Sequence, residues 1–333
     1  MKNTNVVGVD IGYGYTKVCA DRLSKVFPSR VAKARNQGLF GQCSNTVTVN
    51  GQEYAIGDDI TDLGDHSVIA EFLGTPEYLA LLGRALTMAK SPEILVMGLP
   101  PGIYNVERAK MLEKVISEAH ILDSNGERVP IPEIVTFIPQ GLGIYYDFTS
   151  SSQHFNMIAQ NGNIVVIDIG TYTLDIVLVE KGGRYIPKAA RSFPLGISTL
   201  FNLVKNRFNN LHNKYMDSDE NVMKLIQEGC YTHFGNTYRM DISPMMDEYI
   251  NEMVLKVIHK YSTDLVDKSV AGIVVGGGGV NCIGQLLNGT MIVEDPQMSN
   301  ARGYYQYGRL IKADAGFCKD EKPENPKVQA CAV

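Results

Sequence analysis

The chain has 333 residues, of which 44% are hydrophobic and 20% are charged, and its formal net charge at pH 7 is −5. This length is enough for about two domains, each with a core of its own. A mildly acidic chain is not expected to bind the phosphates of DNA or RNA directly. No run of about 18 apolar residues occurs, which argues against a membrane span.

The six cysteines and six histidines are scattered along the chain. No C-x-x-C pair occurs, and no two histidines have the i, i+4 spacing of a helical metal site. This pattern is typical of a reduced protein and not of a disulfide scaffold or a zinc protein. We therefore expect a cytoplasmic α/β protein.

Strand and helix patterns alternate along the first half of the chain. Apolar runs predict strands at 6–10, 15–20, 25–28, 93–98 and 133–138. The dipeptide Asn50-Gly51, which separates two alternating runs at 46–49 and 53–56, predicts a β-hairpin. Helices are predicted at 76–90, at 106–119 and after Pro139.

The second half of the chain starts the same alternation again. Strands are predicted at 163–168, 174–180, 184–191 and 272–275. Helices are predicted at 197–213, 219–229, 243–261, from 280 onward and at 300–313. Residues 318–333 combine prolines with charges and are expected to form a disordered tail.

A short repeat organises the sequence. The octapeptide DIGYGYTK, which begins at Asp10, is followed 158 positions later by DIGTYTLD, which begins at Asp168. In both copies an apolar run ends in an aspartate, a turn that contains glycine follows, and an extended run returns. Two copies of one strand–turn–strand unit predict an internally duplicated, two-domain α/β protein.

The two glycine turns could bind phosphate or could be turns only. The first lacks the third glycine of a dinucleotide fingerprint, and no Walker loop is present. Each turn therefore belongs to a β-hairpin, whose amides can form an anion-binding concavity. Two facing hairpins could hold a polyphosphate between them, with Asp10 and Asp168 on a hydrated Mg²⁺ and Lys17 on the phosphates.

Four consecutive glycines, at 276–279, follow a predicted buried strand. A plain strand–helix turn needs only one or two glycines, and four of them cost backbone entropy. The run therefore favours a site where a flat ligand approaches the main chain, although a turn alone stays possible. The tyrosines at 304, 305 and 307 have helical spacing and are expected to pack in a core.

Five stretches, in order, resemble the motifs of the actin-like ATPases, and within them those of the ParM/StbA plasmid-segregation actins and their archaeal relatives. They are Asp10–Lys17, Ile138–Gly143, Asp168–Asp175, Val274–Asn281 and Ser299–Tyr304. The resemblance implies a duplicated ribonuclease H-like fold, shared with chaperones and sugar kinases, with a nucleotide cleft between two domains. Domain I would comprise residues 1–150 plus 299–317, and domain II residues 151–298.

The resemblance also implies roles for individual residues. Gln140 would orient the attacking water, and Asp10 and Asp168 would assist catalysis by holding Mg²⁺ through water. The implied phosphate contacts are Gly12, Tyr13, Gly14, Tyr15, Lys17, Gly170, Thr171, Tyr172 and Thr173. The implied adenosine contacts are Gly276, Gly277, Gly278, Gly279 and Asn281. Tyr13 and Tyr172 depart from the small residues of many relatives, and Gln227 or Glu228 could hold the ribose.

The function that the resemblance implies is an ATPase that uses ATP and Mg²⁺ and forms nucleotide-dependent helical filaments by self-association. Such filaments would serve plasmid or DNA segregation, or intracellular positioning. DNA would be reached through an adaptor protein bound to centromere-like DNA, which agrees with the acidic net charge. Two alternatives remain open on the same fold: a small-metabolite kinase, and a scaffold that binds nucleotide without hydrolysing it.

Overall fold

The computed structural model describes residues 5–34, 45–57, 60, 72–216, 218–263 and 269–317. The tail expected at 318–333 lies outside these residues. Among the helices of the described part, none has the length and apolar character needed to cross a membrane.

The first half of the chain forms nine strands and two helices within the described residues. The strands are β1 Val6–Ile11, β2 Tyr15–Ala20, β3 Leu23–Pro28, β4 Val31–Lys33, β5 Thr46–Val49, β6 Gln52–Ile56, β7 Ile94–Leu99, β8 Ile121–Leu122 and β9 Ile134–Pro139. The helices are α1 Pro76–Ala89 and α2 Val106–Ser117. The expected hairpin at Asn50-Gly51 is confirmed by the antiparallel pairing of β5 with β6.

The rest of the chain adds eight strands and eight α-helices within the described residues. The strands are β10 Asn163–Ile169, β11 Leu174–Glu180, β12 Arg184–Tyr185, β13 Arg191–Phe193, β14 Cys230–His233, β15 Asn236–Arg239, β16 Val270–Gly276 and β17 Met291–Ile292. The α-helices are α3 Leu142–Ser151, α4 Gln153–Asn161, α5 Ile197–His212, α6 Asp219–Glu228, α7 Ser243–Asp247, α8 Leu255–Thr263, α9 Val280–Ile283 and α10 Ser299–Phe317. A π-helical segment, Glu248–Val254, joins α7 to α8.

Two sheets repeat one topology. In the first, of order β3-β2-β1-β7-β9, β1 pairs antiparallel with β2 and parallel with β7. In the second, of order β12-β11-β10-β16-β17, β10 pairs antiparallel with β11 and parallel with β16. The same local pattern, an apolar strand that ends in aspartate before a glycine turn, produces the same hairpin twice. The predicted duplication is therefore confirmed.

The two sheets share a core through two helices. One hydrophobic cluster contains Val96 of the first sheet, Val166 of the second, Ile144 of α3 and Tyr304 of α10. Tyr304 is fully buried there, and Tyr305 and Tyr307 pack against the same cluster, so the expected packing role of these tyrosines is confirmed. Each sheet also has a core of its own on the opposite side.

Helices α3 and α10 cross in backbone contact. A Cβ atom on Gly303 would overlap the carbonyl oxygen of Gly143, and one on Gly143 would lie 2.6 Å from the Tyr304 ring. The same part of α10 lies directly on β1, because a Cβ on Gly8 would overlap the Ala301 carbonyl oxygen. These close approaches fix α10 against the first sheet and against α3 together.

Some expectations need correction. The strand expected at 184–191 is broken into β12, a 3₁₀ turn at Pro187–Ala189 and β13, since proline cannot donate to a β-ladder. The helix expected from 280 is the single turn α9, followed by a 3₁₀ turn at Gly284–Leu286. The β14–β15 hairpin and helix α4 were not among the elements predicted from the sequence.

The helix crossing generates a stability prediction. Gly303→Ala should lower the free energy of unfolding by ~3 kcal/mol or more, because the added methyl must push α3 and α10 apart. This loss should outweigh the ~1 kcal/mol that alanine gains over glycine inside a helix. Urea unfolding followed by circular dichroism measures the change.

The matched control is Leu310→Ala, at an exposed position of the same helix. It should change the free energy of unfolding by about 0.5 kcal/mol or less. A Gly303→Ala protein as stable as the parent would contradict the close crossing.

Candidate functional site

The first hairpin joins β1 to β2 through a turn at residues 12–14. The Gly12 amide donates to the Tyr15 carbonyl oxygen at 3.1 Å and closes the turn. Asp10 and Lys17 are cross-strand partners, and Lys17 Nζ lies 2.9 Å from Asp10 Oδ2. A side chain on Gly12 would come within 3.0 Å of Lys17 Nζ. The glycine therefore leaves room for a buried ion pair at the base of the turn.

The second hairpin, between β10 and β11, has the same shape but different chemistry. The Gly170 amide donates to the Thr173 carbonyl oxygen at 2.9 Å, and Asp168 has Asp175 as its cross-strand partner. An acid thus stands where the first hairpin has lysine. Thr173 Oγ1 donates to Asp175 Oδ2 at 3.0 Å, and hydrogen bonding from Ser192 and Thr173 lowers the pKa of Asp175 against the larger effect of burial, which raises it.

The two hairpins face each other across one cleft. The rings of Tyr13 and Tyr172 meet edge to face, with centroids 4.8 Å apart. A Cβ atom on Gly14 would lie 3.0 Å from Thr171 Oγ1. The pKa of Tyr13 is raised to about 12, chiefly by burial and also by the nearby Tyr172, so the Tyr13 hydroxyl is uncharged at neutral pH. The two bends therefore lie on the same cleft and not on opposite surfaces.

The cleft has an empty volume of about 750 Å³ and is lined by many of the residues expected at the site. The expected residues that line it are Asp10, Gly12, Tyr13, Lys17, Gln140, Asp168, Gly170, Thr171, Tyr172, Thr173, Gly277 and Gly278. The expected residues outside its lining are Gly14, Tyr15, Gly276, Gly279 and Asn281. Helix α6, which carries Gln227 and Glu228, contributes nothing to the lining.

The glycine run packs tightly against the second hairpin and α10. Gly277 has φ +91°, and a Cβ there would overlap Asp168 Oδ1. Cβ atoms on Gly276 and Gly279 would lie 2.7 Å from Ser299 Oγ and from the Ile169 side chain. Packing within the protein thus requires three of the four glycines. Only a Cβ on Gly278 would meet ordinary contacts, the nearest 3.6 Å away on Gln297.

Three carboxylates are buried in this region. Asp10, Asp168 and Asp175 are 5%, 6% and 3% exposed. The pKa of Asp168 is raised to about 7, chiefly by burial and then by the charges of Asp175 and Asp10, while Asn300 and Lys17 oppose the rise. Burial also raises the pKa of Asp175. Three acids beside one lysine give the cleft an excess of negative charge that a bound cation would neutralise.

The donor set of the cleft fits a magnesium ion. Carboxylate oxygens of Asp10 and Asp168 are the hard ligands that Mg²⁺ prefers, and Mg²⁺ keeps several of its waters. Asp175 lies in the same lining as these two carboxylates. Within the described residues, no group of three His, Cys, Asp or Glu side chains is arranged to hold a metal ion by itself. The residues present therefore suit an ion that is shared with phosphate and water.

Two of the lining residues that were not predicted as site residues, Asp175 and Asn300, are neighbours of the Asp168 carboxylate. Asp175 stands two residues after Thr173 in the repeat, and strand periodicity could have placed its side chain on the same face as Asp168 across the ladder. Asn300 donates from Nδ2 to Asp168 Oδ2 at 2.6 Å, although the two residues are 132 positions apart. No local pattern predicts that contact.

Two models of known protein families match this chain, one in each half of the duplication. Residues 8–143 match the model of the actin-like proteins' N-terminal domain. Residues 166–289 match the C-terminal model of the archaeal MreB-like actin homologues. The chain is an actin-like protein. The two matches fall on the two halves of the duplication, in the order that the fold requires.

Individual relatives of this actin-like protein agree with the family models. An archaeal actin homologue from Thermoplasma volcanium is 28% identical, over 90% of this chain and 97% of its own length. An archaeal actin homologue in complex with ADP, Ta0583, matches with TM-score 0.72 and 21% identity, over 92% of this chain and 99% of that one. A ParM protein from a 15-stranded Clostridium botulinum filament matches with TM-score 0.68 and 19% identity, over 92% and 99%. The predicted actin-like, two-domain fold is thus confirmed.

The raised pKa of Asp168 generates a prediction for the chain without nucleotide or divalent cations. Folded Asp168 keeps its proton up to about pH 7, whereas unfolded aspartate loses it near pH ~4. The folded state therefore binds more protons in this window, so its stability falls as the pH rises from ~4 to 7. Asp168→Asn should be more stable than the parent at pH 8, by on the order of 2 kcal/mol.

Urea unfolding in EDTA at pH 5 and pH 8 measures this effect. Asp168→Asn should lose less stability between the two pH values than the parent does. Glu118→Gln is the control, because it removes an exposed carboxylate from a surface pair with Lys114 and should leave the difference unchanged. Equal pH dependence in Asp168→Asn and parent would contradict the assignment.

Proposed function

We propose that this actin-like protein is an ATPase that binds ATP with Mg²⁺ in the cleft between the two hairpins and forms nucleotide-dependent filaments. The observation that carries the proposal is the meeting of both hairpins, with Asp10, Lys17 and Asp168, on one cleft. We also propose the domain division at 1–150 plus 299–317 and 151–298. It is supported by α10, which follows the second sheet and packs on β1.

The proposed mechanism begins with the phosphates. Turn amides of both hairpins would surround them, and Lys17 would share its charge between Asp10 and the phosphate oxygens. Asp10 and Asp168 would hold Mg²⁺ through water, and the ion would neutralise the charge that develops on the transferring phosphoryl group. Two buried acids are suited to this role because a cation removes their mutual repulsion.

Hydrolysis requires a water in line with the terminal phosphorus. Its oxygen bonds to that phosphorus as the bond to the ADP oxygen breaks, which gives ADP and inorganic phosphate. Gln140 lies at this cleft with Nε2 3.4 Å from Asp10 Oδ1. An amide is a poor proton acceptor, so Gln140 would orient the water and not deprotonate it. Slow turnover in the free subunit is therefore expected.

Side-chain contacts also join the two halves of the chain near the hairpins. One is the Tyr13–Tyr172 ring pair, and another is the ion pair of Arg30 Nη2 with Glu220 Oε1, at 2.7 Å. Loss of the terminal phosphate would leave these contacts to hold the two sides together, so the hinge angle can shift. Head-to-tail association of such subunits, when it does not close on itself, produces a helical filament.

The cellular role that we propose is DNA or plasmid segregation, or intracellular positioning, in the cytoplasm. The acidic net charge of −5 supports indirect contact with DNA, through an adaptor protein bound to centromere-like DNA. The filament that contains the ParM relative supports self-association as the working state.

Phosphate release tests the chemistry. Asp168→Ala and Gln140→Ala should each lower the rate of phosphate release from ATP by about 10²-fold, because each removes a group that positions the ion or the water. Asp21→Ala and Gln52→Ala, at exposed positions away from the cleft, serve as matched controls and should retain the parental rate. Unchanged hydrolysis in both cleft variants would remove the assigned site.

Sedimentation tests the assembly. We expect the parent chain to pellet with ATP and with a non-hydrolysable analogue, and to pellet less with ADP, because filament stability depends on the terminal phosphate. Negative-stain microscopy should show filaments in the pellet. Absence of polymer under every condition would contradict the filament, and ATP consumption that begins only on addition of a small metabolite would favour a kinase.

A further inference from the structure

Asn300 is a buried amide that links three parts of the fold. It lies in the first turn of α10, is 4% exposed and lines the cleft. Its Nδ2 donates to Asp168 Oδ2 at 2.6 Å, and its Oδ1 accepts from the Gly141 amide at 3.2 Å. One side chain therefore connects α10 to the second hairpin and to the start of α3.

These two partners require a side chain that both donates and accepts a hydrogen bond. A carboxylate can only accept, and a backbone N–H can only donate, so the bridging group must offer one donor and one acceptor. Asparagine has both on a short side chain, and its two partners fix which end faces which. An aspartate at this position would place a second carboxylate against Asp168, and an alanine would leave both partners unsatisfied in a buried place.

The Gly141 contact also governs Gln140. Gly141 has φ +86° and begins α3, and the preceding Gln140 amide donates to the Leu99 carbonyl oxygen at 2.7 Å. The two peptides that flank the Gln140 Cα are thus held, the preceding one by the first sheet and the following one by Asn300. Together they fix the direction in which the Gln140 side chain leaves the backbone.

We propose that Asn300 is a positioning residue of the nucleotide site, which holds the Asp168 carboxylate and the Gln140–Gly141 peptide in one fixed arrangement. This inference rests on the proposed ATPase function and adds a residue to it. Asn300 acts through Asp168 and Gln140 and takes no part in bond making. The productive arrangement then depends on the docking of α10, on which Asn300 is carried.

The anchoring of α10 supports this dependence. Two residues after Asn300, Arg302 donates from Nε and Nη2 to the two carboxylate oxygens of Asp147 on α3, at 2.9 and 2.7 Å. A bidentate pair of this kind fixes orientation as well as distance. A shift of α10 against α3 would move Asn300 and release both of its partners together.

The test separates positioning from folding with three variants. Asn300→Ala removes both hydrogen bonds, and Asn300→Asp keeps the acceptor for Gly141 but loses the donor to Asp168. Ser299→Ala is the matched control, since Ser299 is equally buried and its Oγ donates only to the Pro296 carbonyl oxygen within the same turn. Each is measured by single-turnover phosphate release at saturating ATP, ADP affinity in EDTA and thermal unfolding.

We expect both Asn300 variants to release phosphate at least about tenfold more slowly at saturating ATP. Their ADP affinity in EDTA should change by less than about threefold, because the residue positions the reacting groups and does not bind the nucleotide. Ser299→Ala should keep the parental rate even if its melting temperature falls. Parental rates in folded Asn300→Ala and Asn300→Asp would overturn the inference.

A double variant tests whether Asn300 acts through Asp168. In an Asp168→Ala background, Asn300→Ala should lower the remaining rate by a smaller factor than it does in the parent, since one of its two partners is already absent. If Asn300→Ala lowers the rate of phosphate release in that background by the same factor as in the parent, the inference is also overturned. Failure of the parent chain to release phosphate from ATP would instead contradict the proposed function, so the two failures are distinguishable.

Discussion

The structure depends on the backbone contact between α3 and α10. Gly143 and Gly303 let the two helices touch without intervening side chains, and the core cluster built around them contains residues of both sheets. Because each helix is also packed on a sheet, their separation sets the distance between the sheets. The ends of β1 and β10, with their two aspartates, meet at one cleft as a result.

The meeting of these two strand ends brings carboxylates together in a buried site, where negative charge is unfavourable. Asp10, Asp168 and Asp175 lie together with Lys17 as their cationic neighbour, and burial raises the pKa of Asp168 and of Asp175. Such a site is unfavourable when empty at neutral pH and is relieved by a ligand that brings a cation, so binding should stabilise the fold. Stability and nucleotide occupancy are thus linked through the same carboxylates.

The sequence predicted the parts of the site that are local. The hairpins follow from strand periodicity and glycine turns, and their recurrence after 158 positions predicted the duplication. What it did not predict depends on distant residues: Asn300 meets Asp168 across 132 positions, and the glycine run is required by contacts with Asp168, Ile169 and Ser299. Helix propensity overestimated the length of α9, because Gly284 follows this helix after a single turn.

Two of the side-chain contacts that join the sides of the cleft respond differently to dissolved salt. The ion pair of Arg30 with Glu220 joins partly exposed side chains and weakens as ionic strength rises. The ring contact of Tyr13 with Tyr172 has no net charge to screen, and salts excluded from protein surfaces strengthen apolar contacts. The ionic composition of the surrounding medium therefore determines which of these two contacts contributes more to holding the two sides of the cleft together.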